Sequence, residues 1–137
     1  MKTPLDHAQG LLIKANNDLI AAEAILATGK ALDTVCFHTQ QAAEKSLKAL
    51  LALHDVTYPW RRDLTELVEI VTPLAPEIAP LAPQIIQLTP YAVEVRYDET
   101  FYPPYSEANA ALKTARKTYQ LAMQIAQNYQ AGSTPTS

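Results

Sequence analysis

The sequence predicts an all-α fold, an antiparallel up-and-down bundle of four to five helices, and three observations carry that reading. Apolar residues recur at spacings of three and four over long stretches. Proline is absent between Pro4 and Pro59, then clusters from Pro73 to Pro90 and pairs at Pro103-Pro104. No segment alternates apolar and polar residues between hairpin turns. Proline ends or kinks helices, so this distribution separates two long early helices, a broken middle and a long final helix.

The first helix runs from about Leu5 to Thr28, with Leu12, Ala15, Leu19, Ala22 and Leu26 on one face. Gly29 supplies the left-handed residue that closes it. Asp33 is the expected N-cap of the second helix, which reaches about His54 and buries Cys36, Ala43, Leu47, Leu50 and Leu51. Asp63, three residues before Glu66, opens a short helix from Leu64 to Val71 in the manner of a capping box. Four prolines from Pro73 to Pro83 leave turns or a short helical piece. A fourth helix is expected over Gln84–Tyr97, with Pro90 as a first-turn residue or a kink. Ser106 is the expected cap of the last helix, whose face is Ala108, Leu112, Ala115, Tyr119, Ala122, Ile125 and Tyr129. One domain over residues 1–131 and a disordered tail over 132–137 complete the organisation.

Composition narrows the function classes. The 137 residues are 48% hydrophobic and 18% charged, with net charge -3, which argues against a broad electrostatic grip on nucleic acid but leaves room for a local basic stripe. A single cysteine, Cys36, excludes an internal disulfide and a multi-cysteine zinc site. No apolar run approaches the roughly 18 residues of a membrane helix, and the N-terminus lacks a signal-peptide core. A cytoplasmic protein with no membrane association is expected. There is no glycine-rich phosphate loop and no histidine pair at metal-ligand spacing, so neither metal nor cofactor is expected.

Three residue groups could carry chemistry. His38, Gln41, Lys45 and Lys48 are spaced three, four and three, which sets them on one polar stripe of the second helix. That stripe reads either as a solvated face with a Glu44–Lys48 ion pair, or as a cationic surface for a phosphate or an acidic partner. Asp18, at the edge of the first helix's apolar face, needs a partner, and Lys45 or Arg96 can supply one across the bundle. Arg96 and Tyr97 end the fourth helix and lead into a tyrosine-rich stretch ending at Tyr105. The arginine either bonds the last carbonyls of its helix or clamps an anion beside tyrosines that stack on a base. Trp60-Arg61-Arg62 is a basic patch too short to imply nucleic-acid binding by itself.

The stretch Phe37-His38-Thr39-Gln40-Gln41-Ala42-Ala43-Glu44-Lys45-Ser46-Leu47-Lys48 resembles the signature helix of HEPN (higher eukaryotes and prokaryotes nucleotide-binding) domains. Asp18-Leu19, Arg62-Asp63-Leu64-Thr65-Glu66-Leu67 and Arg96-Tyr97 match the family's first, third and fourth helices in order, so the resemblance covers roughly residues 8 to 130. It implies a helical bundle, a homodimer, and partnership with a minimal nucleotidyltransferase in a two-gene, toxin–antitoxin-like module. Many members are metal-independent RNases that use an arginine followed, four to six residues on, by a histidine. Here Arg96 fits the arginine, but Phe101, Tyr102 and Pro103 stand where the histidine belongs, and no histidine follows His54. Arg62 replaces a histidine common in the third helix of relatives. Tyrosine, with an ordinary pKa near 10, is a poor base at neutral pH. The resemblance therefore implies a nucleotide-, RNA- or partner-binding module using Asp18, His38, Gln41, Lys45, Lys48, Arg96 and Tyr97. The alternative is an RNase in which His38 is the displaced base. A third reading leaves Asp18, Lys45 and Arg96 a purely structural network. Some toxins of this family are silenced by nucleotidylation of a tyrosine near the motif; Tyr102 and Tyr105 are the nearest here, at a spacing that matches poorly.

Overall fold

A computed structural model describes residues 2–58 and 63–132. The described chain is helical: α1 (Pro4–Thr28), α2 (Leu32–Leu53), α3 (Leu64–Val71), a 3₁₀ segment (Pro76–Leu81), α4 (Ala82–Ile86), α5 (Tyr91–Tyr97) and α6 (Tyr105–Gly132). No strand occurs among the described residues. Trp60, Arg61 and Arg62 lie outside them, as does the tail from residue 133; Gly132, expected in the tail, is the last residue of α6.

Three long helices set the frame. Asp18 meets His38 while His7 meets Tyr58, so α1 and α2 run antiparallel. Glu23 pairs with Arg116 and Gln9 shares a groove with Gln127, so α6 also runs antiparallel to α1. The chain returns between α2 and α6 along a leg of short pieces, which ends with α5 against the start of α2. This is the up-down-up-down order, with the third leg broken by proline.

Local chemistry explains most element ends. Thr3 and Asp6 close a reciprocal capping box on α1, with Pro4 in the first turn where its missing N–H is harmless. The bond donated by the Thr3 amide, with the Thr3 side chain beside it, holds the Asp6 carboxyl below its ordinary range. Gly29 adopts φ 69°, as the αL closure requires, and its N–H bonds Leu26 O at 3.0 Å. Asp63 accepts from the Thr65 amide at the start of α3.

Three expectations need correction. Asp33 does not cap α2. The turn brings Ala31 to φ 52° and the helix starts at Leu32, so Asp33 sits inside the first turn, where a carboxylate favours the helix dipole. Ser106 does not cap α6, because the helix already begins at Tyr105, with the Pro104 carbonyl accepting from the Glu107 and Ala108 amides, and Ser106 lies inside its first turn. The fourth helix is two helices. Pro90 has no N–H to offer the preceding turn, so the chain tightens over Gln87–Pro90 and restarts at Tyr91, with the Pro90 carbonyl accepting from Val93 and Glu94.

The core centres on α2, which buries 14 of its 22 residues and so packs on more than one face. Leu47, Leu50, Leu51 and Leu53 meet Leu64, Leu67, Ile78 and Ile85 from the third leg and alanines from α1 and α6. Three buried hydroxyls are satisfied by bonding back along their own helices, Thr39 to Cys36 O, Ser46 to Ala42 O, and Thr118 to Thr114 O, whereas the buried Thr89 Oγ1 has no partner among the described residues.

Ala31 holds a left-handed conformation without being glycine, which costs on the order of 1 kcal/mol. Ala31→Gly is therefore expected to raise the urea midpoint at unchanged m-value, by up to about 1 kcal/mol before the greater freedom of the unfolded chain is subtracted. A midpoint lowered by the substitution would show that the turn carries no such strain.

Candidate functional site

The only side chains of α2 between Thr34 and Lys48 that reach partial exposure are Thr34, Phe37, His38, Gln41, Lys45 and Lys48. Helical spacing puts them on one edge, so the polar stripe read from the sequence is the water-facing seam of an otherwise buried helix.

Asp18 anchors this seam. It follows Ala15 by three residues and precedes Ala22 by four, both fully buried, and this leaves Asp18 only 8% exposed. A carboxylate so placed needs partners. His38 Nδ1 lies 2.9 Å from Oδ1, and Lys45 Nζ donates to Oδ2 at 2.6 Å. A carboxylate oxygen only accepts, so the proton of this contact sits on Nδ1 and the other ring nitrogen, Nε2, is left free of Asp18. Lys45 keeps two further N–H donors on a partly exposed head.

Arg96 joins the same edge by a different route. It does not pair with Asp18, the role the sequence allowed it. Its guanidinium lies over the Phe37 ring, 5.2 Å from the centroid, and Phe37 stands edge-on to His38 at 5.7 Å. Stacking occupies the face of the guanidinium and leaves its in-plane N–H donors available. Arg96, Phe37, His38, Asp18 and Lys45 thus form a continuous chain of contacts from α5 across α2 to α1.

The remaining candidates sit apart. Gln41 Nε2 donates to Gln40 Oε1 at 2.6 Å and does not reach Asp18. Lys48 turns to the other end of the seam, 3.6 Å from Glu44 Oε1 and 5.3 Å above the Tyr58 ring. That separation is an ion pair but too long for a hydrogen bond. Among the described residues no hydrogen bond reaches Glu44 Oε1 or Gln40 Nε2, although both atoms are buried. Tyr97 is 77% exposed, and among the described residues no hydrogen bond joins it to the cluster.

Two polar groupings were not legible in the sequence. Tyr91 donates to Glu107 Oε2 at 2.9 Å beside the buried Cys36. Burial first, then the Glu107 charge, push the Cys36 thiol up to about 12, against the lowering effect of the neighbouring Tyr91 hydroxyl. Burial and the bond to Glu107 likewise raise the Tyr91 hydroxyl. At the opposite end, Lys2, Thr3, His7, Asp55 and Tyr58 line a cavity of about 390 Å³. Neither could be anticipated, because each joins residues from distant elements at no recognisable spacing. Among the described residues no group of three or more His, Cys, Asp or Glu side chains could hold a metal ion, and no helix is long and apolar enough to cross a membrane.

A family model described as HEPN domain matches residues 8–125. No curated protein matches the chain. Among solved structures, it is similar to TT1696 from Thermus thermophilus at a TM-score of 0.71 and 25% identity, over 86% of this chain and 97% of that one.

Two outcomes are expected. In a double-mutant cycle by urea denaturation, Asp18→Ala and Lys45→Ala should show a coupling of about 1 kcal/mol, between the values for exposed and buried pairs. A coupling near zero would mean the contact contributes nothing to stability. Cys36 should resist iodoacetamide at pH 8 in the native protein and react readily in urea, since only the thiolate attacks. The unfolded thiol ionises near 9.0 and the folded one only near 12, so this group lowers stability as pH climbs between those values and not below them.

Proposed function

As the chain belongs to the HEPN domain family, we propose that it is a homodimeric, cytoplasmic binding module that takes the phosphate of a nucleotide or RNA on the Asp18–His38–Lys45–Arg96 edge. It would work beside a minimal nucleotidyltransferase as one half of a two-gene module. The family membership supports the partnership. The ligand class rests on one observation: two cationic side chains with unspent donors, Lys45 and Arg96, sit on the same seam as an oriented imidazole.

The roles follow from geometry. Asp18 fixes Lys45 and His38 through its two oxygens and so pre-orders the cationic edge, which lowers the entropy lost on binding. Arg96 presents a planar fork suited to phosphate oxygens. Phe37 supports the guanidinium from below. Gln41 and Lys48 extend the seam, and Tyr97 offers a ring for stacking at its exposed end.

A second reading is favoured by the Asp18–His38 contact. An imidazole held at Nδ1 by a carboxylate has Nε2 free to take the proton of a ribose 2′-hydroxyl as that oxygen attacks phosphorus and displaces the 5′-oxygen, which takes a proton from water, while Arg96 meets the developing charge. In this reading the histidine missing after Arg96 is replaced by His38 from α2, and the chain is a metal-independent RNase.

Binding of a labelled single-stranded RNA, measured across a salt series, tests both. Arg96→Ala should weaken binding about tenfold and reduce the slope of log K against log[salt] by about one, and Lys45→Ala should act similarly. Unchanged affinity and slope would remove the phosphate-binding role. The same RNA incubated with EDTA should stay intact if the module only binds. Cleavage abolished by His38→Ala, with binding retained, would establish the second reading instead.

A further inference from the structure

The cavity between the start of α1 and the turn after α2 shares no lining residue with the Asp18 seam. Its floor residue on α2, Ala52, follows Lys45 by seven positions, about 10 Å along the helix. At about 390 Å³ it falls within the size range of small-molecule sites.

Its two walls carry opposite charge. Among the described residues that line it, Lys2 and His7 belong to the α1 side and Asp55 to the α2 side. The backbone adds the same signs. The first wall is the N-terminal end of α1, where the helix dipole is positive, and the second is the C-terminal end of α2, where it is negative. No basic side chain occupies the last turn of α2 to offset that end. Asp6, the acid in the first turn of α1, is tied to the Thr3 amide and does not line the cavity. Lys48 lies over the Tyr58 ring but is paired with Glu44, so it adds little net charge.

Both walls are held in place. The Val56 amide reaches back to Leu51 O at 3.0 Å, which closes the turn with Asp55 in the left-handed region at φ 53°. The Tyr58 hydroxyl lies 3.3 Å from His7 Nε2 and so ties the chain beyond that turn to α1. Pro4, Ala52 and Val56 supply apolar surface between the charged groups. A ligand entering here meets groups already set by backbone and side-chain bonds, which limits the ordering lost on binding.

Charge selects the ligand. A simple anion is drawn to Lys2 but repelled by Asp55, and a simple cation meets the reverse. A molecule carrying both charges satisfies each wall with a charge-assisted hydrogen bond. We propose that this cavity binds a small zwitterion, an α-amino acid with an apolar side chain. Its carboxylate faces Lys2 and His7, its ammonium faces Asp55, and its side chain rests on Pro4, Ala52 and Val56. This site goes beyond the phosphate-binding reading and stands without it.

The test is calorimetric titration of the full chain with three probes: L-phenylalanine, phenylpropionate, which lacks the ammonium, and phenethylamine, which lacks the carboxylate. L-Phenylalanine should bind, and each analogue should bind at least tenfold more weakly. Asp55→Asn keeps a residue type that tolerates the left-handed turn. It should weaken L-phenylalanine about tenfold without weakening phenylpropionate. Lys2→Gln, at an exposed position, should weaken L-phenylalanine without weakening phenethylamine. Lys45→Ala on the seam should leave L-phenylalanine within twofold. Phenylpropionate binding as tightly as L-phenylalanine would reduce the cavity to a plain anion site and overturn the proposal. So would a loss in Lys45→Ala equal to that in Asp55→Asn, or no heat from L-phenylalanine up to about 10 mM. Matching melting curves confirm that each variant is folded. RNA binding by the seam is read from different residues and a different probe, so failure here leaves the phosphate-binding reading standing.

Discussion

The arrangement depends on one carboxylate shared between two helices. Asp18 is nearly buried on α1, and both of its oxygens are committed to α2, one to His38 and one to Lys45. Those two residues are seven apart, about two turns, so a single acceptor fixes the axial register of α1 against α2 as well as their rotation. A slip of one turn would leave a carboxylate without donors in a low-dielectric place. The residues tied to this register are the ones whose chemistry suits a phosphate, so bundle specificity and the candidate site share one interaction.

Much of this was legible in the sequence, and the boundary is instructive. Periodicity located α1 and α6, whose buried stripe recurs every three or four residues, and α2, whose polar seam recurs at the same spacing. Gly29 and Asp63 were legible because each solves a local backbone problem. Asp18–Lys45 was legible because a carboxylate at the rim of an apolar face requires a cation nearby. The N-cap of α2 was not, since the tight turn through Ala31 starts the helix before Asp33 can reach back. Arg96 was offered, as an alternative to Lys45, for a partner of Asp18 on charge alone. Its real neighbour, the Phe37 ring, follows from how the break at Pro90 places α5, and no spacing in the sequence encodes that. Tyr91, Glu107 and Cys36 meet only in three dimensions.

The surface divides by sign. Lys45 and Lys48 of α2 and Arg96 of α5 line the seam with their donors, while Asp98, Glu99 and Glu107 stand exposed between the end of α5 and the first turn of α6. A net charge of -3 conceals this division, which is why composition argued only against a broad nucleic-acid grip. Arg96 stands at the boundary, leaving the acidic corner by stacking on Phe37 and adding its charge to the cationic side.

The broken third leg has a consequence for how this molecule assembles and breathes. The α1–α2 hairpin closes over three residues and zips through contacts near in sequence, so it can form early and quickly. The leg of 3₁₀ and short α pieces has few consecutive i→i−4 bonds and is the natural unit to detach first as a foldon. Its release would uncover part of the α2 core face while Asp18 still clasped Lys45. Partial opening would then expose an oily face on α2 without dismantling the cationic edge beside it.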